Sequence, residues 1–292
     1  MKAVLVFVAL VAAVSALPTA KNKWEDFPMR HMFIDPSTLN DPNFHPESRI
    51  LNGREVTPHK IPYQAWLVFR LFAGSSGWTC GGSLITRKFI LTAAHCVVGT
   101  ITYNCIRATL VEVYLGAHDV SIEEPNRVIL VATKLTRHPD YVSSTITNDV
   151  GLIELDEELE LDQYINIAKL PSRSEADRSF EGDNVRVSGW GLTVGGGSRS
   201  NVLLAVNSTV LPNAECRQHF TIFQESEICI SGEGGVGACN GDSGGPLIAG
   251  DRHVGIVSYG RSGCLSGYPS VFARTTSFLP WIEENSDYVA ED

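Results

Sequence analysis

Short apolar runs separated by turn-forming residues fill this chain from Tyr63 onward. Six come first: Tyr63 to Leu71, Gly82 to Thr86, Phe89 to Thr92, Val111 to Gly116, Val128 to Arg137 and Val150 to Leu155. Six more follow: Asn184 to Gly189, Leu203 to Leu211, Glu227 to Ser231, Pro246 to Ala249, His253 to Tyr259 and Ser270 to Arg274. They are alternating or rich in β-branched residues, so each reads as a strand. Residues 156–180, between the two sets, are charged and turn-rich. The pattern predicts an all-β chain of two six-stranded antiparallel barrels joined near residues 160–175. Thr276 to Glu284 predicts one C-terminal helix, with Pro280 close to its start, where a missing N–H is tolerated.

The first 49 residues follow a different pattern. Lys2, the apolar run Ala3 to Val14 and the small residues Val14-Ser15-Ala16 predict a secretory signal over residues 1–16. That run is too short to favour a membrane span. Residues 17–49 are rich in Pro, Asn, Asp and His, show no period, and end at Arg49 before Ile50-Leu51-Asn52-Gly53. Such a stretch is either a linker that ends in arginine by chance or a segment built to be cut there.

Composition narrows the partners. The net charge is −10, and residues 1–49 carry equal numbers of basic and acidic side chains, so residues 50–292 hold the whole excess. An acidic surface argues against nucleic acid and disfavours acidic substrates. Seven cysteines fit an oxidising compartment. No Cys/His spacing resembles a zinc site, so no metal or cofactor is expected.

The chemistry concentrates in three places. Gly241-Asp242-Ser243-Gly244-Gly245-Pro246 sets one serine among glycines, whose lack of a Cβ lets amides approach a reacting atom. Thr92-Ala93-Ala94-His95-Cys96 supplies a base to activate that hydroxyl, and Asn148-Asp149-Val150-Gly151 supplies an acid to orient the base. Gly241 to Gly245 also fits the Gly-x-Ser-x-Gly elbow of α/β-hydrolases, but there the acid and base follow the serine. Here the order is His, Asp, Ser.

On these motifs the chain resembles the trypsin/chymotrypsin family of serine endopeptidases from about Ile50 to Ser286, and is most similar to arthropod digestive chymotrypsins and brachyurin-type collagenolytic enzymes. The resemblance implies the chymotrypsin-like fold, with Ser243 as nucleophile, His95 as base and Asp149 as its orienting acid. It implies an oxyanion hole from the amides of Gly241 and Ser243, and a Ser258 hydroxyl on Asp149. Cleavage after Arg49 would free the Ile50 amine to pair with Asp242. The disulfides it implies are Cys80 to Cys96, Cys216 to Cys229 and Cys239 to Cys264. Cys105 is left over, either inert or a partner for another chain.

Relatives that cut after Lys or Arg carry an aspartate where this chain has Gly237. With Ser258, Tyr259, Gly260 and Ser270 as the remaining substrate-binding residues, cleavage after large apolar side chains is expected. A broader, tolerant pocket is the competing reading. Ala117 and Arg127 replace the glutamates of a calcium loop, so calcium is not expected. Asn207-Ser208-Thr209 is a glycosylation sequon. Taken together these imply a secreted, monomeric digestive zymogen. Its partners would be protein or peptide substrates, a trypsin-like activating protease and proteinaceous inhibitors, with no nucleic acid or membrane. A cascade protease and a catalytically dead homologue acting as a binding protein remain the alternatives.

Overall fold

The computed structural model describes residues 53–72, 77–98, 108–193, 197–261 and 264–292. The predicted signal, the stretch through Arg49, Ile50 and Cys105 lie outside these residues.

Strands in chain order are β1 (Arg54–Glu55), β2 (Gln64–Arg70), β3 (Gly77–Leu84), β4 (Phe89–Thr92), β5 (Leu110–Leu115), β6 (Val128–Ala132), β7 (Lys134–Arg137) and β8 (Gly151–Glu154), then β9 (Asn184–Gly189), β10 (Leu204–Thr209), β11 (Glu227–Ile230), β12 (Pro246–Ala249), β13 (Arg252–Gly260) and β14 (Ser270–Arg274). Among the described residues three α-helices accompany them: α1 (Ala94–Val98), α2 (Asn213–His219) and α3 (Thr275–Glu284).

The first sheet runs β6-β5-β2-β3-β4-β8-β7, all antiparallel. Its two edges, β6 and β7, are one predicted strand broken at Thr133. Ala132 and Leu135 are both buried although three positions apart, so the inward–outward alternation slips by one between them. The bend carries the chain from β5 to β8 and closes a six-segment barrel. The second sheet runs β1-β10-β9-β12-β13-β14-β11. Beyond β10, Val210 bridges Ile230, the Leu211 N–H reaches the Cys229 oxygen and the Ser231 N–H reaches the Thr209 oxygen. Those bonds close the second six-strand ring, and the two residues of β1 are an addition at its side.

Each barrel encloses its own apolar core. Leu67, Phe69, Leu91, Val113 and Ile153 fill the first; Val187, Leu204, Ile228, Leu247 and Phe272 fill the second. Helix α3 packs Phe278, Leu279 and Ile282 against the first core, although it follows the last strand of the second. Pro280 lies inside α3, past its first turn, and not near its start as expected. The bond its missing N–H forfeits is offset by the burial of those three side chains. The sequence reading missed α1, too short for a period, and α2. Pro212 before α2, Glu215 in its first turn, and Arg217 and His219 in its last are start and stop signals that could have revealed it.

Residues 156–183 connect the barrels without a strand and hold one 3-10 turn, Arg173–Glu175. Asn207 is exposed on β10. Among the described residues, no helix is long and apolar enough to cross a membrane.

Candidate active site

Helix α1 starts where β4 ends, and it buries Ala94, Cys96 and Val97. A disulfide from Cys80 on β3 to Cys96 and a hydrogen bond from the Trp78 indole N–H to the Cys96 oxygen (2.8 Å) tie it down. The residue between the buried ones, His95, is turned partly outward, its side chain 18% exposed.

Asn148 sits in the left-handed region (φ 54°), and its side-chain amide donates to the Asp140 oxygen (2.9 Å). This turn sends Asp149 inward, where it is 1% exposed. Its Oδ1 accepts the His95 backbone N–H (2.9 Å); its Oδ2 accepts His95 Nδ1–H (2.7 Å) and the Ser258 hydroxyl (2.5 Å). A carboxylate facing Nδ1 requires the proton there, leaving Nε2 as the acceptor in the neutral ring. Burial pulls the His95 pKa down, but the charge and hydrogen bond of Asp149 outweigh it and hold the pKa above its ordinary value.

Ser258 reaches Asp149 through a β-bulge. Val257 pairs with Phe272 and Tyr259 with Val271, so Ser258 is the extra residue of β13. Bulges re-aim side chains in this way. The next side chain, Tyr259, sets its ring edge-on to Phe220 (5.5 Å) and donates its hydroxyl to Glu227 Oε2 (3.1 Å).

Ser243 lies in the turn before β12. Its main-chain oxygen accepts the Gly81 N–H (2.7 Å) and is 3.5 Å from Cys96 Sγ, which is itself 3.8 Å from His95 Nε2. The three motifs, far apart in sequence, therefore meet at one disulfide. Among the described residues, the Ser243 hydroxyl has no hydrogen bond to His95, contrary to the expected contact; such bonds often tighten only when substrate is bound. Gly244 has φ 79°, and a Cβ there would lie 2.2 Å from Thr92 Oγ1, so only glycine fits.

The amides of the turn divide into two groups. Those of Asp242, Gly244 and Gly245 donate to the oxygens of Cys239, Val257 and Asp242. Those of Gly241 and Ser243 make no hydrogen bond to any described residue. Two unused N–H donors flanking one carboxylate-bearing residue are what an oxyanion would need.

Asp242 itself is fully buried. Its Oδ1 accepts the Gly191 N–H (2.8 Å) and its Oδ2 the Cys239 N–H (2.9 Å). Cβ atoms on Gly189 or Gly191 would lie 2.2 and 2.4 Å from its oxygens, so both glycines make room for it. No cationic side chain among the described residues lies within ion-pairing distance. Burial pushes its pKa up to about 6, against the opposing pull of the two N–H groups and the Arg199 charge.

The expected pocket residues divide between open and occupied. Gly260 is exposed, and the nearest atom to a Cβ there would be the Pro269 oxygen at 4.0 Å. Ser270 is buried, with its Oγ accepting the Ala238 N–H (3.2 Å) beside Gly237. None of Gly237, Ser258, Tyr259, Gly260 or Ser270 carries a carboxylate. The remaining disulfides are Cys216–Cys229 and Cys239–Cys264, as expected.

Cys80, His95 and Cys96 gather three potential metal ligands, but both sulfurs are shared in a disulfide and neither is a thiolate. The loop after β5 is closed by its own side chains: Glu124 accepts the N–H groups of His118 (2.7 Å) and Asp119 (3.2 Å), and Arg127 donates to the Ile122 oxygen (2.6 Å).

Sequence reasoning missed Gly191, Glu227 and His253. His253 is fully buried and bonded to Ser83 of β3 and Thr275 of α3, both at 3.1 Å. Burial holds its pKa down at about 4, so it is a neutral tie between the barrels. No motif announces it, since its partners are distant in sequence.

The chain is similar to known proteins along most of its length. The family model described as Trypsin matches residues 50–282. The chain is 42% identical to a chymotrypsin of Phaedon cochleariae over 291 residues, covering 100% of both. It is 39% identical to a brachyurin of Leptuca pugilator over 80% of this chain and 97% of that protein. A solved structure of HL collagenase superposes with a TM-score of 0.73 at 35% identity, covering 82% of this chain and 100% of that one.

Proposed function

Because the chain belongs to the trypsin family and is a serine endopeptidase, we propose that it is a secreted digestive zymogen, switched on by cleavage after Arg49, that cuts after large apolar residues. The observation that carries the catalytic assignment is the hydrogen-bonded line Ser258–Asp149–His95 ending beside Ser243. Ser243 attacks the scissile carbonyl while His95 Nε2 takes its proton. Asp149 keeps that nitrogen free and stabilises the imidazolium. The amides of Gly241 and Ser243 receive the oxyanion, and His95 returns the proton to the leaving amine. Water then releases the acyl-enzyme by the same steps.

Activation follows from Asp242, which has no ion-pair partner among the described residues. In the uncut chain Ile50 has no free amine, because it follows Arg49 in peptide linkage. Cleavage by a trypsin-like protease supplies an ammonium that pairs with the Asp242 carboxylate and holds Gly241 in register. Residues 1–16 act as the signal and residues 17–49 as the propeptide. Three disulfides suit an extracellular setting. At the pocket, Gly237 leaves a cationic side chain without a buried partner, which is costly, and Gly260 leaves room for a large one. Protein substrates and proteinaceous inhibitors are its partners, and it acts as a monomer without metal or cofactor.

The test is tryptic cleavage at Arg49 followed by two measurements. An organophosphate should label Ser243 only after the cut. A peptide library varied at the cleaved residue should then show turnover after Phe, Tyr, Leu and Met, and little after Lys or Arg. Preference for Lys or Arg would overturn the pocket assignment, and no label after a complete cut would overturn the catalytic one.

A further inference from the structure

Ser258 and Tyr259 are consecutive, yet each donates its hydroxyl to a different buried acid. Ser258 bonds Asp149 (2.5 Å) and Tyr259 bonds Glu227 (3.1 Å). Glu227 stands on β11, 4% exposed. Its Oε2 also accepts the Gln224 N–H (2.8 Å), while its Oε1 is buried with no partner.

Among the described residues, no cationic side chain pairs with this acid. Arg274 on β14 is the near candidate, but its guanidinium donates to the main-chain oxygens of Glu227 (2.8 and 3.1 Å), Glu225 (3.2 Å) and Ser179 (2.7 Å) and to Asn213 Oδ1 (3.1 Å). The other groups facing the carboxyl are Tyr259 and, through its negative charge, Asp149. Burial first, and then repulsion from Asp149, push the Glu227 pKa up, against the pull of the Gln224 N–H and the Tyr259 hydroxyl. An acid with an idle buried oxygen costs stability. An apolar side chain on β11 would fill the space without that cost, so packing is a poor account of this residue.

We propose that Glu227 is a positioning residue for substrate binding, holding the Tyr259 hydroxyl so that the bulged segment Ser258–Gly260 keeps the shape on which the acyl side of an extended peptide docks. The bulge leaves Ser258 out of the pairing with β14, while Tyr259 and Gly260 pair with Val271 and Ser270, so the aim of the side chains at the bulge is set by side-chain restraint added to that ladder. Asp149 restrains Ser258. Phe220 and Glu227 restrain Tyr259. Without Glu227 the ring can swing and the docking edge loosens, while the reacting groups at Ser243 keep their positions. The inference rests on the proposed endopeptidase function and on the substrate-binding role that the family resemblance implies for Ser258, Tyr259 and Gly260, the segment taken to pair with the backbone of an extended peptide.

The experiment uses the cleaved enzyme with Glu227→Ala, Glu227→Gln and Tyr259→Phe. The probes are an ester of one aromatic amino acid and a peptide amide with four residues on the acyl side, with active sites counted by the organophosphate. In Glu227→Ala and Tyr259→Phe the kcat/KM for the long substrate should fall about tenfold relative to the short one, through KM. Glu227→Gln should restore the wild-type ratio, because its amide oxygen still accepts the hydroxyl. An unchanged ratio in Tyr259→Phe with normal labelling would overturn the inference, as would a kcat loss shared by both substrates. Should Glu227→Ala fail to fold, Tyr259→Phe and Glu227→Gln decide. Failure of the wild-type enzyme to label would instead strike the catalytic assignment.

Discussion

Two buried aspartates flank the turn that carries Ser243, and they differ in what surrounds them. Asp149 takes three hydrogen bonds, two from His95 and one from Ser258. Asp242 takes two backbone N–H bonds and has no ion-pair partner among the described residues. Folding alone completes the first environment. The second holds a carboxyl pushed up to about pH 6 by burial, which favours its neutral form until a cation arrives. Under the proposed function the difference would separate two tasks: orienting a base, which can be built in advance, and forming an oxyanion hole, which can be withheld until the chain is cut.

Mutations can break this comparison at either end. The largest effect should come from Asp149→Asn in the cleaved enzyme, a loss of about 10⁴ in kcat, the size that the equivalent change produces in this family. Asparagine cannot keep the proton on Nδ1 in the same way, so Nε2 no longer accepts. A loss below tenfold would mean that something other than Asp149 sets the tautomer. Asp242→Asn should cost less, about 10²–10³, as for one lost oxyanion donor. The low-field proton of His95 Nδ1–H should persist in its NMR spectrum, and its disappearance would show that the two environments are not separate.

Smaller changes sharpen the contrast. Gly191→Ala would set a Cβ 2.4–2.6 Å from the Asp242 carboxylate. Overpacking of this kind costs about 1–3 kcal/mol, read as a lower thermal midpoint together with reduced activity after cleavage. Smallest are the pH effects. The Asp242 carboxyl is raised from 3.8 to about 6 in the uncut chain. Its contribution to stability is therefore full below pH 3.8 and lost as pH rises through about 6. A carboxyl infrared band titrating near pH 6 before the cut, and lower after it, checks this. His95 must be neutral to act, and its pKa is held above 6.5, so the acid limb of kcat/KM should lie above 6.5.

Much of this was legible from the chain. Phe89–Thr92, Asn184–Gly189, Pro246–Ala249 and Ser270–Arg274 were anticipated to the residue, because their apolar runs end at turn formers. His95, Asp149 and Ser243 were legible because each stands just outside such a run, where a strand end can present a side chain to a cleft. The break at Thr133 was not, since one slip in alternation leaves a run that still looks continuous. Pro280 was misplaced within α3 because local rules could not foresee a helix held by the other barrel's core.

Local pattern thus carried the positions of most strands and the motifs proposed to hold the reacting groups, since turn residues, alternation and short motifs act between near neighbours. Only the folded chain decided which partners those groups have. The Ser258 bulge, the Glu227–Tyr259 bond, the His253 tie and the room that Gly189 and Gly191 leave for Asp242 all join residues brought together by barrel closure. Contacts of that kind depend on register and burial across distant strands, and no stretch of sequence records them.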